Sequence, residues 1–337
     1  MIITKTPFRM SFFGGGTDME SFFRENGGAV ISTTFDKYCY VNVRHLPRFF
    51  DYSTELSYSR TERVTSIEDI EHPAVRNAMK MLDMHEIRLT YEADLPARSG
   101  LGTSSSFAVG MLNAFYALKG KYADKRKLAD EAIYLERVLC EEAGGWQDQI
   151  AASFGGFNRI NFNTDGTYDV LPVIISPERK KNLNDNLMMF FTGFTRFSSD
   201  VQKANAGTKE TQEAKEKRYL KMLSLVDKAE QILTDKTTNL DNFGRLLDHT
   251  WKLKKQTGSA VSTNSIDALY EKGIQAGALG GKLLGAGGGG FLVFYVQPEY
   301  QEAVKEAMKE LMYIPFRFED GGTRVIHYTP EAYEPNA

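Results

Sequence analysis

Pro96 to Ser106 is a polar stretch with glycines at Gly100 and Gly102, and it runs without a break into an apolar helical pattern at Phe107, Met111, Phe115 and Leu118. A glycine loop that opens a helix presents unpaired backbone N–H groups at the positive end of the helix dipole, and both favour an anion. The hydroxyl run Thr103, Ser104, Ser105 and Ser106 suits capping the helix, contacting phosphate oxygens or holding a metal. Taken by itself, the stretch fits a glycine turn with an ordinary Ser/Thr cap equally well.

At 337 residues the chain is long enough for two cores, and 42% hydrophobic with 25% charged residues is an ordinary soluble composition. A net charge of -3, with clusters such as Arg179, Lys180 and Lys181 set among acidic residues, gives no extended basic face for nucleic acid. The anions it binds are expected to be small molecules. No apolar run reaches membrane-span length and the N-terminus starts directly on a strand-like run, so a cytoplasmic location is expected. Cys39 and Cys140 have no partner spacing for a disulfide framework or a zinc site and read as buried thiols.

Two further glycine clusters bracket the chain. Ile2 to Phe13 reads as two short strands broken at Pro7, followed by the loop Gly14, Gly15, Gly16, Thr17 and Asp18 and a helix ending near Gly27. Thr17 or Asp18 suits its N-cap, while three successive glycines suit backbone lying close to a ligand. Ala29 to Thr34 and Tyr38 to His45 read as strands, the segment from Leu46 as a loop, Pro73 to Leu82 as a helix and Ile87 to Tyr91 as a strand feeding the phosphate loop. Lys125 to Glu142 reads as a helix with Glu136 at the border of its apolar stripe, either a solvated flank or an inward ligand. Asp148 follows Gly144 and Gly145 at another helix start, where a cap and a catalytic carboxylate fit equally. Ser176 to Asn186 reads as a domain connection. Beyond it come a buried strand from Leu187 to Phe194, a largely helical stretch from Ser198 to Lys255, and the run Gly280 to Gly290 before the strand Phe291 to Val296. A helix from Pro298 to Met312 and two closing strands complete an α+β chain.

Gly285 to Gly290 matches the dinucleotide pattern G-x-G-x-x-G but leads into a strand, where that fingerprint must open a helix. Walker A fails too, since Leu283 follows Lys282 and Gly277 falls one position late. Protein-kinase signatures are absent. With three glycine loops in fixed order, the sequence resembles the GHMP kinase superfamily over nearly its whole length. The first motif is matched by Pro7 to Asp18, the second by Pro96 to Ser106 and the third by Lys282 to Gly290. Within the superfamily, F-F-G-G-G-T-D, D-L-P-A-R-S-G-L-G-T-S-S-S-F and W-Q-D-Q-I-A-A-S-F-G-G-F-N are similar to the kinases of heptose 7-phosphate, with the fucose 1-kinases close. The galactokinase loop G-E-H-x-D is here Gly14 to Asp18, without its glutamate.

The resemblance implies a two-domain α+β GHMP kinase fold. It consists of a ribosomal protein S5 domain 2-like N-terminal domain (1–185), binding ATP, and a ferredoxin-like C-terminal domain (186–337). Arg98, Ser99, Gly100, Leu101, Gly102 and Thr103 to Ser106 would hold the ATP phosphates. Ser104 and Glu136 would hold Mg2+, with Glu141 and Glu142 as alternatives to Glu136. Asp148 matches the catalytic aspartate of the family, and Arg9 would bring positive charge to the transferring phosphoryl group. Gly15, Gly16, Thr17, Asp18, Gly287 and Gly288 would line the sugar site. Arg196 leads Arg44, Arg98 and Lys37 as the cation for a phosphate already on the sugar. The expected partners are a sugar phosphate and ATP, without nucleic acid or membrane, in a monomer or homodimer.

Overall fold

The computed structural model describes residues 1–193, 212–256, 258, 261–285 and 287–330. β1 (Ile2–Phe13) is one continuous strand, not two broken at Pro7. After α1 (Glu20–Asn26), β2 (Gly28–His45) likewise runs unbroken through both segments expected there. The register between the two strands slips at Pro7/Phe8, where Pro7 faces Tyr38 and Phe8 faces Phe35. A proline, with no N–H to donate, is thereby accommodated at an irregularity and the strand continues past it. Neither Thr17 nor Asp18 caps α1, whose N-cap is Met19 without a side-chain bond.

The segment read as a loop contains the hairpin β3 (Thr54–Ser57) and β4 (Thr61–Val64). α2 (Pro73–Met81) and β5 (Ile87–Ala93) lead to α3 (Thr103–Leu118), which is buried on almost every side. Such burial matches a sequence apolar around the whole helix. α4 (Lys125–Tyr134) starts where Asp124 accepts from the Lys127 amide at 2.8 Å. The expected helix to Glu142 ends instead in a π-helical turn, Leu135–Leu139. Next come α5 (Gln147–Phe154), β6 (Phe157–Phe162) and β7 (Tyr168–Pro172). The supposed connection is a helix, α6 (Pro177–Asp185), with Ser176 as its cap, Pro177 in the first turn and Leu183 buried.

β8 (Leu187–Phe191), α7 (Gln212–Thr234), α8 (Asp241–Lys255), α9 (Asn264–Gln275), β9 (Gly280–Leu283) and β10 (Phe291–Tyr295) follow. α10 (Gln301–Ala307) is shorter than the helix expected to Met312, and three strands close the chain: β11 (Met312–Ile314), β12 (Phe318–Glu319) and β13 (Arg324–Tyr328). One sheet runs β13-β1-β2-β5-β3-β4, with β6 and β12 also on β2 and β7 on β6; the other runs β11-β8-β10-β9. All pairs are antiparallel except β3 with β5. The expected boundary at 185/186 falls between α6 and β8, and the last two strands return to the first sheet, with Tyr328 opposite Ile2 and Phe318 opposite Phe35.

One core lies between the first sheet and α2, α3 and α4, with Val41, Leu89 and Phe115 at its centre. A second joins the two sheets, where Phe243 of α8 meets Phe12 and Phe13 of β1 edge-on at 5.2 and 5.1 Å. This arrangement brings α8, β9 and the glycine run after it against the end of β1. No described helix is long and apolar enough to cross a membrane.

Candidate active site

Arg9 on β1 is 5% exposed, and its guanidinium grips Asp148 of α5 in a fork: Nε to Oδ1 and a terminal nitrogen to Oδ2, both at 2.7 Å. The remaining terminal nitrogen donates to Gly100 O at 2.6 Å. Gly102 stands at the N-cap of α3 in the left-handed region, φ 72, and makes no side-chain cap bond. A Cβ there would come within 3.2 Å of Arg9 Cγ and 3.4 Å of the Asp148 carboxylate. The uncapped end of α3 thus lies directly beside the Arg9–Asp148 pair.

The third glycine run packs on this loop backbone to backbone. A Cβ on Gly285 would lie 2.2 Å from Gly100 Cα, and one on Gly290 would lie 2.2 Å from Ser99 O. Only glycine permits that approach. Gly287 and Gly288 face elsewhere: Gly287 packs on the Val261 backbone, and the Gly288 amide donates to Val261 O at 3.0 Å. Ser99 is fully buried, and its Oγ has no hydrogen-bond partner among the described residues.

The four hydroxyls divide their work. Thr103 Oγ1 accepts from the Arg98 amide at 3.3 Å, and Ser106 Oγ donates to Pro7 O at 3.0 Å. Ser105 Oγ donates to Glu136 Oε2 at 2.7 Å, and Ser104 Oγ donates to Glu136 Oε1 at 2.6 Å. Of the four, only Ser104 is exposed. Glu136 sits in the π-helical turn at 1% exposure, and its Oε2 also receives Gln149 Nε2. The turn moves Glu136 from the border of the helix stripe to the interior, facing the start of α3. A hydroxyl and a carboxylate at the start of α3 form a hard-oxygen donor set, which fits Mg2+.

In the first glycine loop, Thr17 Oγ1 lies within donating distance of either Gly14 O at 2.8 Å or Ala29 O at 2.9 Å and accepts from the Ala29 amide at 3.1 Å, which braces the loop. Asp18 is 3% exposed and accepts from the amides of Gly16 at 2.9 Å and Gln147 at 3.3 Å. Burial, and then the neighbouring Asp148 charge, push its carboxyl above the usual range. The Tyr219 ring stands against Gly16.

Two lysines assigned no role from the sequence lie nearby: Lys254 feels the charges of Asp18 and Asp148, and Lys282 those of Lys254 and Arg9. Lys254 of α8 donates to Gly285 O, and desolvation first and Arg9 second pull its pKa down to about 8, against the opposing pull of Asp18 and Asp148. Lys282 is 4% exposed and donates to Ser11 O and Phe12 O at 2.8 and 2.9 Å. Burial, followed by Lys254 and Arg9, holds it well below the usual lysine range. Lys254 lies in a lysine-rich helix end and Lys282 in a failed Walker pattern, so neither carried a signal of its own.

Arg196 lies outside the described residues. Lys37 pairs with Asp36 at 3.3 Å, and Arg44 sits opposite Arg88 on β2 and β5, away from the glycine loops. Arg98 is exposed, in a left-handed conformation with φ 61. Glu142 is exposed and donates its amide to Glu136 O at 2.9 Å.

The chain belongs to the GHMP kinases: the model of the GHMP kinases N terminal domain matches residues 70–156, and that of the GHMP kinases C terminal region matches 229–314. It is therefore a phosphotransferase, of a family whose phosphoryl donor is ATP. Among its relatives, the D-glycero-alpha-D-manno-heptose 7-phosphate kinase of Campylobacter jejuni is 29% identical over 96% of this chain and 98% of that protein. The L-fucokinase/L-fucose-1-P guanylyltransferase of Bacteroides fragilis is 30% identical over 65% of this chain, which is 23% of that longer protein. The fold matches the crystal structure of a D-glycero-D-manno-heptose 1-phosphate kinase from Bacteroides thetaiotaomicron at a TM-score of 0.77. That match has 23% identity over 97% of this chain and 99% of that one.

Proposed function

We propose that this chain is a sugar 1-kinase, transferring the γ-phosphoryl group of ATP to the anomeric hydroxyl of D-glycero-D-manno-heptose 7-phosphate. The product would be the 1,7-bisphosphate, on the route to a nucleotide-activated heptose. The carrying observation is the forked Arg9–Asp148 pair at the uncapped start of α3, with both partners at 2.7 Å. The full-length similarity to a heptose 7-phosphate kinase supports the acceptor.

Phosphoryl transfer is driven mainly by positioning and charge neutralisation. The loop from Arg98 to Ser106 would cradle the ATP phosphates on backbone amides. Asp148, oriented by the guanidinium fork, would accept the proton of the anomeric hydroxyl, which is more acidic than an ordinary alcohol. Arg9 would supply positive charge beside the moving phosphoryl group. Ser104 and Glu136 would hold the Mg2+ that accompanies ATP, which neutralises charge on the phosphate oxygens. The loop from Gly14 to Asp18 would close around the sugar ring.

A phosphoryl-transfer screen over free and phosphorylated heptoses, hexoses and fucose tests this reading. Heptose 7-phosphate should give a product that no longer reduces a reducing-sugar reagent, with its new phosphorus coupled to the C1 proton. Coupling to any other proton, or a higher kcat/KM on free fucose or galactose, would remove the heptose 7-phosphate assignment.

A further inference from the structure

The three glycines of the first loop are not equivalent. Gly14 and Gly16 have φ values of 81 and 102, and a Cβ on either would press on a neighbour, at 1.9 Å from Ala29 O or 3.0 Å from the Tyr219 ring. Backbone conformation and crowding account for both. Gly15 has no positive φ, and a Cβ there would meet nothing closer than Gln147 Nε2 at 3.8 Å and Ser11 Oγ at 3.9 Å. The fold itself would accept a side chain at Gly15, so its absence keeps a space open between two polar groups.

Those two groups are themselves incomplete. Ser11 is 7% exposed and Gln147 9%, yet Ser11 Oγ and Gln147 Oε1 are buried with no hydrogen-bond partner among the described residues. Buried polar atoms in native proteins are nearly always satisfied by protein, water or ligand. A serine hydroxyl beside a carboxamide offers donors and acceptors together, the complement of a sugar hydroxyl pair. Gln147 immediately precedes Asp148 at the start of α5, and its backbone amide donates to Asp18 Oδ2 at 3.3 Å, so this space adjoins the same helix end as the Arg9–Asp148 pair.

We infer that Ser11 and Gln147, facing each other across Gly15, form the edge of the acceptor subsite that reads a sugar hydroxyl next to the anomeric carbon. Their role is specificity, separate from the proton transfer assigned to Asp148. The inference rests on the sugar-kinase reading above.

The test is steady-state kinetics of Ser11→Ala, Gln147→Met and Gly15→Ala with heptose 7-phosphate and its 2-deoxy analogue, alongside thermal unfolding of each variant. Wild type should strongly prefer the intact sugar, because a site built to bond a hydroxyl is left unpaired by an analogue lacking it. Gln147→Met should raise the acceptor KM by about 10-fold or more. It should also shrink the preference over the 2-deoxy sugar by a similar factor, with KM for ATP and the melting temperature unchanged. Gly15→Ala should show the same KM split by filling the space. Unchanged acceptor KM and unchanged 2-deoxy discrimination in all three folded variants would overturn the subsite. A wild-type enzyme inactive on heptose 7-phosphate is a different result: it removes the substrate reading, and the same variants are then judged by the same criteria on fucose and 2-deoxyfucose.

Discussion

Arg9 and Asp148, 139 residues apart in the chain, meet through two parallel hydrogen bonds of 2.7 Å, and the third guanidinium bond reaches the carbonyl of Gly100. One side chain therefore ties the first strand, the glycine loop before α3 and the start of α5 to a common geometry. A bidentate fork fixes direction as well as charge, so the carboxylate is oriented before any ligand arrives.

Asp148→Asn should fold and retain ATP binding while kcat falls by roughly 10² to 10⁴, the usual effect of removing a positioned acid/base group. Single-turnover kinetics together with nucleotide binding by calorimetry would check this. Near-normal turnover would take Asp148 out of the mechanism.

Ser104→Ala and Ser106→Ala should separate. Ser104 is the exposed hydroxyl on Glu136, whereas Ser106 is fully buried against Pro7 O. Loss of Ser104 should mainly impair use of Mg-ATP, visible as a raised magnesium requirement. Loss of Ser106 should mainly lower stability, by about 1 kcal/mol for one internal hydrogen bond. Equal kinetic effects at both positions would reduce the hydroxyl run to a helix cap.

Gly285→Ala should weaken both folding and ATP binding, because its Cβ would lie 2.2 Å from Gly100 Cα. Gly120 provides the control, with φ 64 and nothing within 4 Å of its Cβ. Gly120→Ala carries only the left-handed backbone penalty of roughly 1–2 kcal/mol. Denaturant unfolding and ATP-analogue titration of the two variants should differ clearly. Matching losses of stability and intact ATP binding in both would mean that the contact between the loops is not required.

Lys254 supplies a pH dependence. Its pKa falls from 10.5 to about 8 on folding, so between those values the unfolded chain holds more protons than the folded one. Stability from this group therefore rises as pH climbs through that window, and the burden of the charged form is full below about pH 8. Urea unfolding of wild type and Lys254→Met from pH 7.5 to 10.5 should show the difference moving in favour of wild type as pH increases. A constant difference would show that Lys254 is as well solvated in the native protein as in the unfolded one.

The three glycine loops and their order were legible in the sequence because each joins a strand or a helix at a point where backbone must come close to something. Local pattern left the roles of Asp148 and Glu136 open; their association with Arg9 and Ser104 came from the family resemblance, not from this local reading. It misread Pro7 as a break, because proline's missing N–H interrupts a regular ladder but not one that slips register there. The hairpin of β3 and β4 was hidden by polarity: Glu55 and Glu62 are buried, Glu55 on Arg63 and Arg88 at 2.9 and 2.6 Å and Glu62 accepting the Glu71 amide. Arg88 reaches Glu55 from β5, beyond the hairpin, and no local pattern reveals such a partner. Lys254 escaped for the same reason, since its surroundings come from β1, α5 and the loop after β9.

The pairing of β13 with β1 has a consequence for synthesis of the chain. Arg324 and Val325 stand opposite Lys5 and Thr4, only a few residues before Arg9. On the ribosome, the strand that carries Arg9 waits for its outer neighbour until Arg324–Tyr328 has been translated. A nascent chain that has already exposed all three glycine loops still lacks the last strand of the sheet that holds the first of them. Completion of the sheet that carries Arg9 thus requires translation through Tyr328, well after the last of the three glycine loops has been made.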